Sequence, residues 1–162
     1  MSKKVKNFDL ICLGRLAVDF YGNQIGSRLE DTSTFSKYLG GSSANVAYGA
    51  ARQGLKTSML ARVGDEHMGR FLKEELDRAG VDTSNIISDP TRLTALVILG
   101  IKDRETFPLI FYRDNCADMA LIKDDINEDY ISSSKALAIT GTHLSQSSPL
   151  LSAATKHHHG FT

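Results

Sequence analysis

The sequence predicts an α/β protein with a partial doubly wound parallel sheet and a small β lid. Three observations support this prediction: apolar runs of strand length alternate with helical patterns, glycines follow two of the helices, and a polar turn separates two later apolar runs. Strands that alternate with helices favour a parallel sheet covered on both faces. The 162 residues are enough for one domain with a hydrophobic core.

The first strand and the first helix are predicted on either side of a polar segment. Residues 8–14 have the composition of a buried strand, whereas residues 21–37 are polar and irregular, with strand-like fragments. Residues 44–53 are rich in alanine and predict a helix. Gly54 follows this helix and suits the left-handed conformation that ends many helices.

A second strand and helix follow directly. Residues 56–63 predict the strand, and the turn after it leads to Asp65, which we expect to cap the helix by accepting backbone N–H bonds. Gly80 ends the helix. Five apolar residues recur at three- and four-residue steps and predict its buried face: Met68, Phe71, Leu72, Leu76 and Ala79.

The last elements break the simple alternation. Residues 81–87 predict a short extended segment, and residues 94–101 and 107–113 predict a hairpin around a polar turn. Residues 124–134 predict a short helix and residues 136–140 a further buried strand. The hairpin is compatible with an antiparallel edge of the main sheet or with a separate lid.

The composition is that of a globular protein and excludes several functional classes. Hydrophobic residues make up 41%, and 19 basic residues balance 19 acidic ones, which argues against a nucleic-acid partner. Because no apolar run is long enough for a membrane span or a signal peptide, we expect no membrane partner and a cytoplasmic protein. Cys12 and Cys116 are predicted to be free, buried thiols.

The glycine pair at Gly40 and Gly41 is the most informative local feature. Glycines allow a backbone to approach a ligand closely, and the helix that follows presents unpaired N–H groups at its start. Asn45, in the first turn, offers both a donor and an acceptor. The pattern suits binding of hydroxyls or of an anion, and it equally suits a tight turn in which Ser42 or Ser43 caps the helix.

Two nucleotide-binding motifs are absent from this region. The dinucleotide fingerprint needs a third glycine in register, and the P-loop needs a Gly-Lys-Ser/Thr sequence; the chain has neither. The missing fingerprint argues against a nicotinamide-dependent enzyme.

A carboxylate lies just beyond the first predicted strand, at Asp19. Ligands of open α/β sheets bind outside the carboxyl ends of the strands. A carboxylate there could accept two hydrogen bonds from a polyol, although a solvated loop residue would give the same pattern.

Taken together, these motifs resemble the ribokinase (PfkB) family of carbohydrate kinases. The resemblance rests on Gly-Gly-x-x-x-Asn-x-Ala, on Asp19 at the position of the family's sugar-binding Asp, and on residues 62–69; it extends over about residues 8–148. It implies that residues 1–162 are the N-terminal portion of one ribokinase-like domain, with the C-terminal half absent. The lid would come from about residues 20–38 and 94–113, and complete relatives often dimerise through it.

A narrower resemblance concerns the substrate. Residues 107–118 are among the segments that resemble family members acting on an acid sugar formed in inositol breakdown, although that group usually has Pro where Ser43 stands. Arg113, in Phe-Tyr-Arg, matches an element whose guanidinium holds a substrate acid in sibling kinases. Arg15 is a weaker candidate, and a surface salt bridge is the alternative for Arg113. The implied substrate-binding residues are Asp19, Gly40, Gly41, Ser42, Asn45 and Arg113, with no metal ligand among them.

The resemblance also identifies what this sequence lacks. The family's Gly-Ala-Gly-Asp motif, which supplies an anion hole and the general base, does not occur. ATP and Mg²⁺ are the cofactors that the resemblance implies for a complete enzyme, and we expect this chain alone to be inactive. A helix beginning at residues 150–154 and then His157, His158 and His159 suggest a truncation or frameshift near residue 150 rather than a metal site.

Other functions are compatible with the same residues. Within the family, the substrate could be 2-keto-3-deoxygluconate, fructose or a nucleoside. Outside enzymes, the chain could be a non-catalytic product that binds a sugar or a partner subunit.

Overall fold

A computed structural model of the chain describes residues 6–141, which form two four-stranded sheets. In chain order the elements are β1 Phe8–Leu13, β2 Ala17–Gly22, β3 Phe35–Gly40, α1 Ser42–Arg52, β4 Thr57–Gly64, α2 His67–Arg78, β5 Ile86–Asp89, β6 Leu96–Leu99, β7 Leu109–Tyr112, α3 Glu128–Ser132 and β8 Ser134–Ile139. Short 3₁₀ turns occupy Leu29–Asp31, Ala117–Ala120 and Lys123–Asp125.

The first sheet is parallel throughout and confirms the predicted fold class. Its strand order is β5-β4-β1-β8. Successive side chains point to opposite faces, so Cys12 and Met59 pack on one face while Ile11 and Leu60 pack on the other. The first face packs against α1 and α2, and the second against α3 and the turn before it, which gives the layers of a doubly wound sheet.

The second sheet is separate and has the strand order β3-β2-β6-β7. The predicted hairpin is present, with β6 and β7 antiparallel, and it belongs to this sheet rather than to an edge of the first. β2 pairs antiparallel with β3 and parallel with β6, so that Asp19 lies opposite Tyr38 on one side and Val97 on the other. The sequence did not indicate β2 and β3 as complete strands.

The glycines predicted to follow α1 and α2 are confirmed, whereas the residue predicted to cap α2 is not. Gly54 and Gly80 both have positive φ angles, +90° and +85°, as expected after α1 and α2. The prediction of Asp65 as the cap of α2 was wrong, because Glu66 occupies that position and accepts hydrogen bonds from the N–H groups of Met68 and Gly69.

Glu66 has a tertiary role that Asp65 could not fill. Its Oε1 also accepts the N–H of Thr94, the residue that leads into β6. Burial would raise the pKa of Glu66, but these hydrogen bonds outweigh it and lower the pKa below its usual range. One carboxylate thus caps α2 and fixes the entrance to the second sheet.

A buried ion-pair network holds the other end of the same linker. Asp89 accepts hydrogen bonds from the N–H groups of Thr91 and Arg92 and forms ion pairs with Arg62 and Arg92. Burial alone would raise the pKa of Asp89, yet these bonds lower it far below its usual range. Because Arg62 also pairs with Asp125, the linker to β6 is connected to the 3₁₀ turn at Lys123–Asp125.

The remaining elements are shorter than the sequence suggested. Residues 124–134 form a 3₁₀ turn and the five-residue α3, which Asn127 caps, instead of one helix. Cys12 and Cys116 are buried and free, as predicted, and burial raises the pKa of Cys12 to about 11.

Two further expectations concern the end of the chain and the membrane. The predicted helix at residues 150–154 and the triple histidine at residues 157–159 lie outside the described residues. Within residues 6–141, no helix has the length and apolar composition needed to cross a bilayer.

Candidate functional site

Two glycines, Gly40 and Gly41, connect β3 to α1, and a side chain is excluded at each of them by a different contact. At Gly41, φ is +100° and a Cβ would collide with the carbonyl oxygen of Arg15. At Gly40, a Cβ would collide with the carboxylate of Asp19. Gly41 therefore lets α1 start against the loop after β1, while Gly40 leaves the space in which the Asp19 side chain lies.

Asp19 has an environment unusual for a surface carboxylate. It lies on β2, not in a loop beyond the first strand, and it is half-buried. No described residue donates a hydrogen bond to its carboxylate. Burial raises the pKa of Asp19, and the charge of Arg15 only partly opposes this. A desolvated carboxylate with unused acceptor sites is suited to binding ligand hydroxyls.

A cavity of about 490 Å³ contains this carboxylate and connects it to α1. Asp19 and Asn45 both line it, so the structure brings together two of the residues singled out from the sequence. The other lining residues come mostly from the second sheet: Tyr21, Gly22, Asn23, Ile25, Tyr38, Leu39 and Ile101.

The aromatic wall of the cavity was missed in the sequence. Tyr21 and Tyr38 contact edge to face, with ring centroids 5.4 Å apart. Their placement follows from the strands, because Tyr21 is two residues after Asp19 on β2 and Tyr38 pairs with Asp19 across the sheet. That signal was available only once residues 17–22 were recognised as a strand.

The two serines after Gly41 do not occupy the cap position of α1, because Gly41 itself is the N-cap. Ser42 Oγ and Ser43 Oγ lie 2.8 and 2.9 Å from Thr140 Oγ1, and Ser43 also donates to the carbonyl of Leu13. They tie α1 to the carboxyl ends of β1 and β8. Ser42 as a ligand residue stays a prediction.

Arg113 lies directly after β7 and is not among the residues lining the cavity. Its Nε donates to Asp118 Oδ2 at 2.6 Å, and its Nη2 lies 2.6 Å from the same oxygen. The side chains of Arg113 and Asp118 are 10% and 0% exposed, so this is a buried ion pair rather than a surface salt bridge. Arg15 is near both this pair and Asp19: burial and the charge of Arg113 lower the pKa of Arg15, whereas the charges of Asp118 and Asp19 raise it.

ATP and Mg²⁺, the cofactors that the resemblance implies, were compared with the side chains that the structure describes. Within residues 6–141, no three His, Cys, Asp or Glu side chains are grouped so that they could hold a metal ion. The hydroxyls of Ser42 and Ser43 at the start of α1 both bond to Thr140, and Ser43 also bonds to the carbonyl of Leu13.

The fold and the cavity define the class of protein. The structure is similar to a PfkB protein from Polaromonas sp. JS666, with a TM-score of 0.86 and 31% identity over 92% of this chain and 50% of that one. It is also similar to an uncharacterized sugar kinase from Pyrococcus horikoshii in complex with ATP, with a TM-score of 0.82 and 30% identity, covering 91% of this chain and 48% of that one. The fold is ribokinase-like and corresponds to about half of these proteins.

The family follows from the sequence comparison. The family model described as pfkB family carbohydrate kinase matches residues 7–159, and the chain belongs to that family.

Curated relatives are similar over nearly the whole chain. It is 46% identical over 143 residues to a 5-dehydro-2-deoxygluconokinase from Geobacillus thermodenitrificans, covering 88% of this chain and 42% of that protein. It is 45% identical over 146 residues to a 5-dehydro-2-deoxygluconokinase from Bacillus anthracis, covering 90% of this chain and 44% of that protein. The chain thus spans less than half the length of the curated relatives it matches.

Proposed function

We propose that this chain forms the sugar-binding part of an ATP-dependent kinase that phosphorylates 5-dehydro-2-deoxygluconate in inositol catabolism. The observation on which the proposal rests is the cavity that contains both Asp19 and Asn45. The Asp19 carboxylate accepts hydroxyl hydrogen bonds, and the amide of Asn45, an exposed residue in the first turn of α1, accepts and donates. The curated relatives at about 45% identity carry the name of this activity.

Arg113 is proposed to bind the acid end of the substrate. Its guanidinium is buried beside Asp118, which fixes its position before a ligand arrives. A charged donor held in place in this way binds a carboxylate without the entropy cost of ordering a flexible side chain.

Phosphoryl transfer is proposed to need residues beyond those of this chain. The relatives are more than twice as long as the matched segment, and the Gly-Ala-Gly-Asp motif does not occur here. Phosphoryl transfer depends on charge stabilisation and on a positioned base. The chain alone is therefore expected to bind the sugar acid without transferring phosphate to it.

A binding and turnover experiment tests this function. Calorimetric titration of the chain with 5-dehydro-2-deoxygluconate should give saturable binding, tighter than with 2-keto-3-deoxygluconate or fructose. A coupled ADP-release assay on the same preparation, with ATP and Mg²⁺, should give no turnover above the rate without protein.

Each half of this experiment has a result that contradicts the proposal. Clear ADP release would show that the chain contains a complete catalytic site. Tighter binding of fructose than of either acid would replace the assigned substrate with a neutral sugar.

The second sheet is proposed to act as a lid and as a contact between two copies of the chain. β7 is an edge strand, and its four residues, Leu109–Tyr112, are apolar or aromatic and between 46% and 53% exposed. An exposed apolar edge strand is suited to pairing with another chain. We expect Ile110→Lys to raise the dimer dissociation constant at least about tenfold, because the interface would bury an unpaired charge.

Sedimentation equilibrium of the wild-type chain and of this variant measures the effect. Leu55→Lys is the matched control, because Leu55 is similarly exposed but precedes β4 in the other sheet. Equal association of all three proteins would show that β7 is not the contact.

A further inference from the structure

Arg15 is a half-buried cation whose side chain forms no hydrogen bond or ion pair with another residue of 6–141. It lies between β1 and β2, and its Nε is buried without a hydrogen-bond acceptor. No Asp or Glu of the described residues forms an ion pair with it within 4.0 Å. Burying an unpaired guanidinium costs free energy, so its retention calls for an explanation other than stability.

The surroundings of Arg15 place it beside the acid-binding group already described. Its guanidinium carbon lies 5.5 Å from the centroid of the Phe111 ring. Phe111 and Arg113 are two residues apart at the end of β7, a spacing that puts side chains on the same face of an extended chain. Burial lowers the pKa of Arg15, and the nearby positive charge of Arg113 lowers it further.

The neighbouring carboxylates do not neutralise Arg15 directly. Asp118 uses Oδ2 for Arg113, while its Oδ1 is buried and accepts no hydrogen bond from the described residues. Asp19 faces the cavity and acts on Arg15 only through its charge. The two guanidinium groups therefore lie close together, and the buried Nε–H of Arg15 is a donor that no described residue accepts.

We propose that Arg15 is a specificity-determining residue, which binds the carboxylate of a sugar acid together with Arg113 while Asp118 holds Arg113 in position. This inference rests on the proposed function. Asp118 is paired with Arg113, so Arg15 is the cation of this group whose charge is left for a substrate carboxylate. In this arrangement Asp19 binds the hydroxyls of the substrate and Arg15 binds its carboxylate.

Titrations with an acid sugar and a neutral sugar test whether Arg15 binds only the carboxylate. The probes are 5-dehydro-2-deoxygluconate and the uncharged sugar fructose, added to the wild-type chain, to Arg15→Gln and to Arg15→Lys. Arg15→Gln should weaken binding of the acid about 30-fold or more, since truncating one partner of a buried charge pair is costly. Its affinity for fructose should stay within about twofold. Arg15→Lys should lose less for the acid, because it keeps the charge and loses the planar fork.

Arg52→Gln is the matched control, because Arg52 is an exposed arginine in the last turn of α1. It should change neither affinity. If Arg15→Gln binds the acid as tightly as the wild type, or loses the acid and fructose equally, the inference is overturned while the proposed function stands. If the wild-type chain binds no acid, the proposed function fails, and the inference fails with it.

A measurement on the wild-type protein covers the case in which Arg15→Gln does not fold. In ¹⁵N-labelled protein, the Nε–H resonance of Arg15, assigned from its loss in Arg15→Lys, should shift on titration with the acid and not with fructose. An unchanged Nε–H resonance at saturating acid would overturn the inference.

Discussion

Gly41→Ala is expected to lower the free energy of unfolding by about 3 kcal/mol or more, from strain and overpacking together. The backbone at Gly41 has φ +100°, a conformation that residues with a side chain rarely adopt. The added Cβ would also collide with the carbonyl of Arg15 and lie 3.0 Å from the Cα of Leu16, and backbone atoms cannot move aside as a flexible side chain can. Such a loss is a large part of the roughly 5–15 kcal/mol that stabilises a typical domain.

Urea denaturation of the wild type and the variant measures this loss. The matched control is Gly49→Ala in α1, where φ is helical and an added Cβ would have no neighbour within 4 Å. That change should instead stabilise the chain by about 0.5–1 kcal/mol, since alanine is the better helix former. Equal stability of the two variants would mean that the close approach of Gly41 to Arg15 is absent in solution.

The first sheet could be predicted from the sequence because its signals are local. Three of its strands, β1, β4 and β8, contain a short apolar run, and α1 and α2 are followed by glycines whose φ angles are positive in the structure. The second sheet was harder to predict, because β2 pairs with β6 almost 80 residues later along the chain. Only the hairpin of that sheet, whose strands are neighbours in sequence, was predicted as such.

The cap of α2 shows how tertiary contacts decide between equivalent local choices. Asp65 and Glu66 are adjacent carboxylates, and aspartate is the better N-cap by propensity. Glu66 occupies the position because its longer side chain also reaches the N–H of Thr94. Nothing in residues 60–70 alone indicates that second bond.

The candidate site was only partly predicted, because some of its residues have local signals in the sequence and others join it through tertiary contacts. Asp19 and Asn45 are single polar residues near glycines, and the cavity contains both. Tyr38 joins them through strand pairing, and Asp118 joins Arg113 through a buried ion pair. Neither contact could be predicted from the sequence, because the spacing of these residues along the chain does not differ from that of ordinary strand and loop residues.

Asp19→Asn is expected to weaken sugar binding about 30- to 100-fold, roughly 2–3 kcal/mol, because a hydrogen bond to a charged acceptor is stronger than one to a neutral amide. The loss should be similar for 5-dehydro-2-deoxygluconate and for fructose, since both present hydroxyls to this position. Calorimetric titration of the variant with each sugar measures it. Asp124→Asn, at an exposed aspartate outside the cavity, is the control and should leave both affinities unchanged.

The same substitution should raise the stability of the chain without ligand. Burial raises the pKa of Asp19 in the folded protein above its unfolded value. The folded state therefore binds the proton more tightly than the unfolded state. The free energy of unfolding falls as pH rises through the interval between the two pKa values. At neutral pH that penalty is fully present in the wild type, and the neutral amide of Asn removes it. Thermal unfolding at pH 7 should give a higher Tm for Asp19→Asn than for the wild type.

Gain of stability with loss of binding is the pattern of a residue retained for its ligand. The wild type should also bind the sugar more weakly as pH falls toward the raised pKa of Asp19, whereas Asp19→Asn should show no such dependence. A variant that loses stability and keeps its sugar affinity would mean that Asp19 supports the fold at the β2–Gly40 contact, and the cavity would then need another hydroxyl-binding group.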